Sequence, residues 1–471
     1  MRPTRRQWLT RAPAALAASS ALAQTGGRVE RPNIVLIISD QFRADCIGAM
    51  GLNPMNLTPN LDRMAQRGVI FRSAMSNQPV CAPARASIFT GQYPRRHGVY
   101  KNGVAIKEDA ITLATVARGA GYSANYIGKW HIGPPAPRGQ EGPVPRAYRG
   151  GFLDFWLASN ELEHTSHAYE GDLYDGDGKP VHFSGEYRAD FMTRHAQAFL
   201  RSAKSPFLLC VSYLEVHHQN DEDKYDPPKE FANRYPNPFV PHDLRPFPGS
   251  WPSQLPDYYA CVAKMDEAAG AIRATLAETG LDRNTVLMFT SDHGCHFKTR
   301  NTEYKRSPHD SSIHIPLVVE GPGFNRGMQI SELVSQVDFT PTLLDAASLA
   351  IPPPMQGRSF LPLLDRKTEG WRDEVYFEMS EFYTGRGLRT PQYTYAVATP
   401  KQSGWKIAPG ADEYVEFALY DDYAEPHQLV NLAGRAEYQA IAQQLRARLL
   451  ERMKEAGDPP ATIENCWFPY P

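Results

Sequence analysis

Apolar residues in this chain gather into short unbroken runs. Ile34-Val35-Leu36-Ile37-Ile38 is the clearest, and such a run predicts a strand buried on both faces, as at the centre of a parallel sheet. It leads into Ser39-Asp40-Gln41, which sets a carboxylate at the carboxyl tip of the strand, where open α/β sheets build their sites. Runs at 206–214, 286–290 and 315–319 read the same way. The run at 286–290 also leads into an acid, in Ser291-Asp292-His293-Gly294. Shorter strands are predicted at 69–71 and 123–131.

Helices alternate with these strands. Thr58-Pro59 reads as the cap and first position of a helix to Arg67, closed by Gly68. Further helices are predicted over 83–90, 113–119, 187–203, 257–279 and 338–347. A proline- and glycine-rich loop covers 134–151, and a proline-, aromatic- and acid-rich insertion covers 219–256. Beyond about residue 370 strands at 374–378, 393–398 and 414–420 follow one another with little helix between, before a final helix over 436–456. The expected fold is α/β: a three-layer sandwich around a central mixed or parallel sheet over 30–368, with a smaller C-terminal domain of antiparallel sheet plus helix over 369–471.

Composition narrows the function. At 471 residues, 42% hydrophobic and 22% charged, this is an ordinary globular chain. A formal net charge of −2 supplies no field to recruit nucleic acid, so an anionic substrate must be met by local cations. The cysteines, at 46, 81, 210, 261, 295 and 466, show no zinc-type spacing, and Cys210 and Cys261 sit in apolar patterns typical of core. At the N-terminus, Thr4-Arg5-Arg6-Gln7-Trp8-Leu9 precedes an Ala/Leu/Ser-rich stretch ending in Ala21-Leu22-Ala23. That order predicts a twin-arginine signal peptide over 1–23 and a periplasmic or secreted protein. No later stretch has the ~20 apolar residues of a membrane span.

The chemistry concentrates in Cys81-Ala82-Pro83-Ala84-Arg85. Cys81 falls at or just before a helix N-terminus, which favours anions, and Arg85 returns to the same face one turn later. The spacing is too short for a C-x5-R phosphatase loop. Asp40 and the pair Asp292-His293, on two strand tips, offer hard oxygen ligands and an imidazole suited to a divalent cation. Lys129 and His131, two apart on an extended segment, share a face.

Cys-x-Pro-x-Arg resembles the signature of the formylglycine-dependent sulfatases of the alkaline phosphatase superfamily. Other stretches are similar to that family in the same order: Pro32-Asn33-Ile34-Val35-Leu36 into Asp40, Thr58-Pro59-Asn60-Leu61-Asp62, Gly128-Lys129-Trp130-His131-Ile132-Gly133, Thr290-Ser291-Asp292-His293-Gly294 and Leu419-Tyr420-Asp421-Asp422. The resemblance spans nearly the whole mature chain. It implies an alkaline-phosphatase-like sheet and a Cys81 converted to formylglycine by a separate maturation enzyme. It implies a catalytic set of Cys81, Arg85, Lys129, His131, His217 and Lys305, and a metal set of Asp40, Gln41, Cys81, Asp292 and His293. Ca2+ is the family's usual metal, with Mg2+ or Mn2+ as alternatives. The implied roles are charge stabilisation by Arg85, Lys129 and Lys305, leaving-group acid for His217, with His218 competing, and elimination base for His131. The implied substrate is a sulfate ester of a sugar, glycan or other alcohol.

Three positions depart from the family pattern. Gln41 stands where many members carry a second Asp, His293 where many carry Asn, and Val216 where a Pro often precedes the His. Hydrolysis of phosphonate monoesters or phosphodiesters, or non-catalytic binding of sulfated glycans, are the other readings of the same residues. Asn160, His164, His167, Tyr169 and His218 are candidate substrate contacts by location, whereas Arg306, His309 and His314 are expected to be structural.

Overall fold

The computed structural model describes residues 31–137, 141–400 and 408–466; the signal peptide expected over 1–23 lies outside the described residues. The strands in chain order are β1 (Asn33–Ser39), β2 (Val69–Phe71), β3 (Ala74–Met75), β4 (Ser123–Lys129), β5 (Trp156–Ser159), β6 (Ser166–His167), β7 (Glu170–Tyr174), β8 (Pro180–Ser184), β9 (Phe207–Tyr213), β10 (Thr285–Ser291), β11 (His314–Ile315), β12 (Leu317–Glu320), β13 (Met328–Ile330), β14 (Val334–Ser335), β15 (Val375–Met379), β16 (Gly385–Arg389), β17 (Tyr393–Ala398), β18 (Glu413–Asp421) and β19 (Thr462–Glu464). The longer helices are α1 (Pro59–Arg67), α2 (Cys81–Thr90), α3 (Leu113–Gly119), α4 (Arg188–Ser202), α5 (Trp251–Glu278), α6 (Phe339–Ala346) and α7 (Gln439–Ala456).

An 11-stranded sheet runs β13-β2-β12-β10-β1-β9-β4-β5-β7-β6, with β8 paired to β7. Its centre, from β10 through β5, is parallel, and β12 joins β10 antiparallel, so the sheet is mixed. Side chains alternate between two apolar layers. Val35, Ile37, Leu209, Val211, Leu287 and Phe289 face a core that includes Leu61, Ala196, Leu200, Ile272 and Leu276 of α1, α4 and α5. Ile34, Leu36, Ile38, Leu208, Cys210, Val286 and Met288 face the other, which includes Ala86, Ile88, Leu113 and Leu343 of α2, α3 and α6. The five apolar residues of β1 are at most 1% exposed, and burial of each contributes roughly 1.5–3 kcal/mol as an upper value. Helices on both faces of a sheet make the three-layer sandwich that the alternation predicts.

The smaller sheet runs β15-β16-β17-β18-β19. Its first four strands are antiparallel, whereas β19 lies parallel to β18, and α7 packs on it through Leu445, Leu449 and Met453. A third sheet, β11-β3-β14, has three strands. Among the described residues no helix is long and apolar enough to cross a membrane.

Several elements differ from their sequence-based expectation. The run at 315–319 divides at Pro316, which cannot donate to a ladder: β11 joins the small third sheet and β12 the large one. Helix α2 begins at Cys81 rather than Pro83, because Val80 is the last extended residue and Pro83 sits in the first turn, where a missing N–H is harmless. Strand β4 stops at Lys129, two residues short of the expected end. There Gly128 adopts φ +107 with its missing Cβ only 2.0 Å from Ser212 O, and His131 has φ +63. Helix α5 starts at Trp251, six residues early, with Pro252 in its first turn and Pro256 inside it. Strands β6 to β8 and β16 carry no apolar run and are absent from the sequence reading, as is β5, whose apolar stretch Phe155-Trp156-Leu157-Ala158 is short.

Candidate active site

Because β9, β1 and β10 are parallel neighbours, Ser39 aligns with Tyr213 on one side and Ser291 on the other. Their carboxyl tips therefore meet, and each delivers side chains to one place. β1 supplies Asp40 and Gln41, β10 supplies Asp292 and His293, and the turn after β9 supplies His217. The backbone of Asp40 is tied to that turn: its N–H donates to Glu215 O at 3.2 Å, and Val216 N–H donates to its carbonyl at 2.9 Å. Strand β4 brings Lys129, and the first residue of α2 is Cys81. Asn102 Oδ1 accepts from Ala82 N–H at 3.0 Å, which satisfies one free donor at the start of that helix.

Cys81 Sγ is the centre of the constellation. Lys305 Nζ lies 2.9 Å from it, His293 Nε2 3.3 Å, Asp40 Oδ1 3.6 Å and Lys129 Nζ 3.9 Å. Burial opposes ionisation of the thiol, but the Lys129 and Lys305 ammonium groups outweigh it and hold the group well below the ordinary thiol range. The site thus stabilises negative charge on the atom that residue 81 presents.

Asp40, Cys81, Asp292 and His293 offer ligand atoms that all lie within 4.8 Å of one another, every one buried. His293 Nδ1 sits 3.0 Å from Gly294 O, which can only accept, so Nδ1 carries the proton and the Nε2 lone pair faces the carboxylates. Gln41 donates its amide to Tyr225 OH at 2.9 Å, while its Oε1 is buried without a partner. Two carboxylates, an imidazole lone pair and an unpartnered amide oxygen fit a hard divalent cation.

Arg85 has 0% side-chain exposure and bridges both acids. It donates from Nε to Asp292 Oδ2 at 3.2 Å, from one terminal nitrogen to Asp40 Oδ2 at 3.1 Å, and from the other to Lys129 O and Ser212 Oγ. Its donors thus go to the two acids, a carbonyl and a hydroxyl. Lys129 Nζ lies 2.9 Å from both Asp40 Oδ2 and Glu163 Oε1. For Asp40, burial and the Cys81 charge push the carboxyl up, but Lys129, His217 and Lys305 outweigh them and it stays well below the usual range. Asp292, without a lysine of its own, is raised by burial and by the Asp40 charge.

His217 Nδ1 lies 2.6 Å from His218 O, leaving Nε2 3.2 Å from Lys305 Nζ, which also reaches His293 Nε2 at 3.0 Å. Burial and Lys305 lower the basicity of His217. His218, the competing candidate, is stacked between His217 and Tyr304 with ring centroids 4.4 and 4.0 Å away. His131 converges on Cys81 as expected, though through its left-handed backbone rather than through strand alternation. All nine predicted site residues other than Cys81 thus gather around it.

Among the candidate substrate contacts, the Asn160 carbonyl accepts from His131 N–H and its Oδ1 from Gly133 N–H. His164 pairs with Glu161, His167 with Asp221, and Tyr169 accepts from Lys229 N–H. His309 bonds Tyr420 OH and His314 bonds Arg72 O, as structural residues do. Sequence reasoning missed Glu163, which shares Lys129 with Asp40, and Gln336, whose amide donates to Ser291 O and Asp292 O and steadies the β10 tip. Neither carries a motif.

The chain matches the family described as Sulfatase over residues 32–349, and N-sulphoglucosamine sulphohydrolase, C-terminal, over residues 302–455. It is 30% identical to an ulvan-active sulfatase of Formosa agariphila, across 91% of this chain and 82% of the relative. It is 29% identical to an endo-4-O-sulfatase of Bacteroides thetaiotaomicron, across 93% and 94%. A solved structure from a study of glycosaminoglycan metabolism by Bacteroides thetaiotaomicron superposes with a TM-score of 0.81 at 26% identity, covering 91% of this chain and 97% of that one.

Proposed function

We propose, from the premise that this chain belongs to the sulfatase family of the alkaline phosphatase superfamily, that its sulfuric ester hydrolysis runs through a formylglycine made from Cys81. The observation that carries this reading is the ring of Lys305, His293 and Lys129 around the side-chain atom of residue 81, since an anion on that atom is what a nucleophile at this position must bear. In the mature enzyme Cys81 Sγ stands in for a hydroxyl oxygen on the same carbon. Hydrated, an aldehyde here offers one hydroxyl to attack sulfur and a second whose deprotonation reforms C=O as the C–O bond to sulfate breaks. Conversion of the thiol requires a separate oxidising maturation enzyme acting before the segment is buried.

Asp40, Gln41, Asp292 and His293 would hold a divalent cation, Ca2+ by family habit with Mg2+ or Mn2+ as alternatives, which would draw charge from a sulfate oxygen and from the nucleophile. Arg85 holds the two acids in register. Lys129 and Lys305 bind the sulfate and offset its growing charge. His217 and Lys305 together form the donor of the proton that the departing alcohol takes, and His131 removes the proton from residue 81. The names of the ulvan-active and endo-4-O-sulfatase relatives support a carbohydrate sulfate as substrate. The N-terminal pattern supports twin-arginine export to the periplasm or beyond.

The test is protein expressed with a formylglycine-generating enzyme and assayed on an aryl sulfate, an aryl phosphodiester and a phosphonate monoester. The sulfate should turn over fastest, and the peptide holding residue 81 should carry CHO in place of CH2SH. Faster phosphodiester turnover overturns the choice of sulfate, and an active enzyme with an unmodified thiol overturns the aldehyde.

A further inference from the structure

Glu163 lies on a one-turn helix, Leu162–Thr165, just after β5, in a stretch that sequence reasoning assigns to substrate recognition. Its side chain is 4% exposed. Oε1 takes Lys129 Nζ and lies 3.8 Å from His131 Nδ1. Glu163 Oε2 and His131 Nδ1 are both buried with no hydrogen-bond partner, a costly pair of vacancies for two groups so close. Burial would push the carboxyl up, but Lys129, His131 and His217 bring it down to about 2, so the group that faces the imidazole is a carboxylate.

The same turn holds the other partner. His131 N–H donates to Asn160 O at 2.7 Å, and Glu163 O accepts from Gln219 Nε2 at 2.9 Å. His131 acts on the Cys81 side chain, and with Nδ1 the nitrogen beside Glu163, Nε2 is the one left for residue 81. A side-chain movement of about 1 Å brings Nδ1 and the carboxylate into hydrogen-bond contact, and such contacts are commonly long before substrate binds.

We propose that Glu163 is a positioning residue that holds the proton of His131 on Nδ1, so that Nε2 presents its lone pair to residue 81. A carboxylate can only accept, so the tautomer follows from the contact. Residue 81, His131 and Glu163 then stand as nucleophile, base and orienter, the order found in catalytic triads. The inference rests on His131 acting as the base toward residue 81, and it gives the buried carboxylate a task beyond neutralising Lys129.

Two measurements test it. Nitrogen NMR of the histidine-labelled chain with unmodified Cys81, with His131→Ala to assign the resonance, reads the tautomer without any turnover. Nδ1–H is expected in the wild type, and loss of that fixed tautomer in Glu163→Gln. A wild-type ring protonated on Nε2 overturns the proposal. In matured enzyme, Glu163→Gln should slow sulfate release by roughly 10- to 100-fold, the usual effect of removing such a partner, with sulfate retained on residue 81 by intact mass and Glu163→Asp intermediate. In a His131→Ala background the same substitution should add less than about twofold. Equal cost in both backgrounds means Glu163 acts through Lys129 alone and overturns the proposal. Should His131→Ala release sulfate at the wild-type rate, the reading of His131 as base fails, while the tautomer still decides the part of Glu163.

Discussion

His217 and Lys305 divide one side of residue 81 between them. With Nδ1 facing the His218 carbonyl and Nε2 facing the Lys305 ammonium, the pair is set to pass a proton toward a departing oxygen. His217→Ala should therefore cost most where the leaving group is a poor one. A sugar sulfate should lose ~100- to 10,000-fold in kcat/KM, the usual worth of general acid help, and a nitrophenyl sulfate far less. Equal losses across a series of leaving groups would contradict the assignment. The acids opposite set a second expectation. Asp40 and Asp292 are 0% exposed and share Arg85, so a divalent cation should add stability as well as activity. Chelation should lower Tm and turnover together, and Ca2+ should restore both; about 4 kcal/mol is expected at a thousandfold excess over Kd. Unchanged Tm and activity after complete metal removal would dismiss the site.

Between elements, the contact of α1 with α5 depends on one buried acid. Asp266, 2% exposed, accepts from Asn60 N–H and Leu61 N–H at the first turn of α1, and from the Asn60 amide. It does the capping expected of Thr58, whose hydroxyl instead accepts from Gly48 N–H. Burial raises the Asp266 carboxyl to about 6 in spite of these bonds. A folded-state value above the unfolded one means that the folded chain binds more protons in that window. Stability from this group is thus present below about pH 4 and lost as pH rises through about 6, by on the order of 3 kcal/mol. Asp266→Asn should flatten this part of the profile. The check is Tm between pH 4 and 7 for wild type and variant, and parallel curves would refute it.

For the molecule as a whole, the C-terminal sheet secures the loop that bears Lys305. Arg300 donates to the carbonyls of His427 and Gln428, Asp310 N–H donates to Gln428 Oε1, and His309 bonds Tyr420 OH. Arg389 of β16 grips Asp310 through two nitrogens at 2.9 and 3.0 Å and reaches Asp422 at 3.1 Å. Arg389→Met leaves two largely buried carboxylates unpaired, so it should cost roughly 3–5 kcal/mol and lower kcat at temperatures where the protein stays folded. Arg448→Ala, at a more exposed pair with Asp373 and Glu374, should change stability by less than about 1 kcal/mol. A destabilised Arg389→Met enzyme with wild-type kcat would reduce the C-terminal sheet to a bystander of catalysis.

The sequence by itself determined the strands β1, β9 and β10, because a run of branched apolar residues long enough to be buried on both faces has few other homes. It set Asp40 and Asp292 at the carboxyl tips of two such strands, since each run leads straight into its acid, and Cys81 and Arg85 on one helix face, since they lie one turn apart. Those signals are local and repeat within a few residues. Tertiary structure alone decided the partners of buried charge. The family resemblance implies charge stabilisation by Arg85, but nothing in the sequence shows that its donors go to Asp40, Asp292 and Ser212, residues 45, 207 and 127 positions away. Glu163 carries no signal in the sequence, and only the turn after β5 folds it against Lys129. Strand β16, Gly-Arg-Gly-Leu-Arg, shows no strand pattern because Arg386 is buried against Asp458 and Gly387 makes room for the Phe377 ring. Apolar periodicity is written along the chain, whereas the match of a buried charge or a missing side chain to its counterpart exists only once distant segments have met.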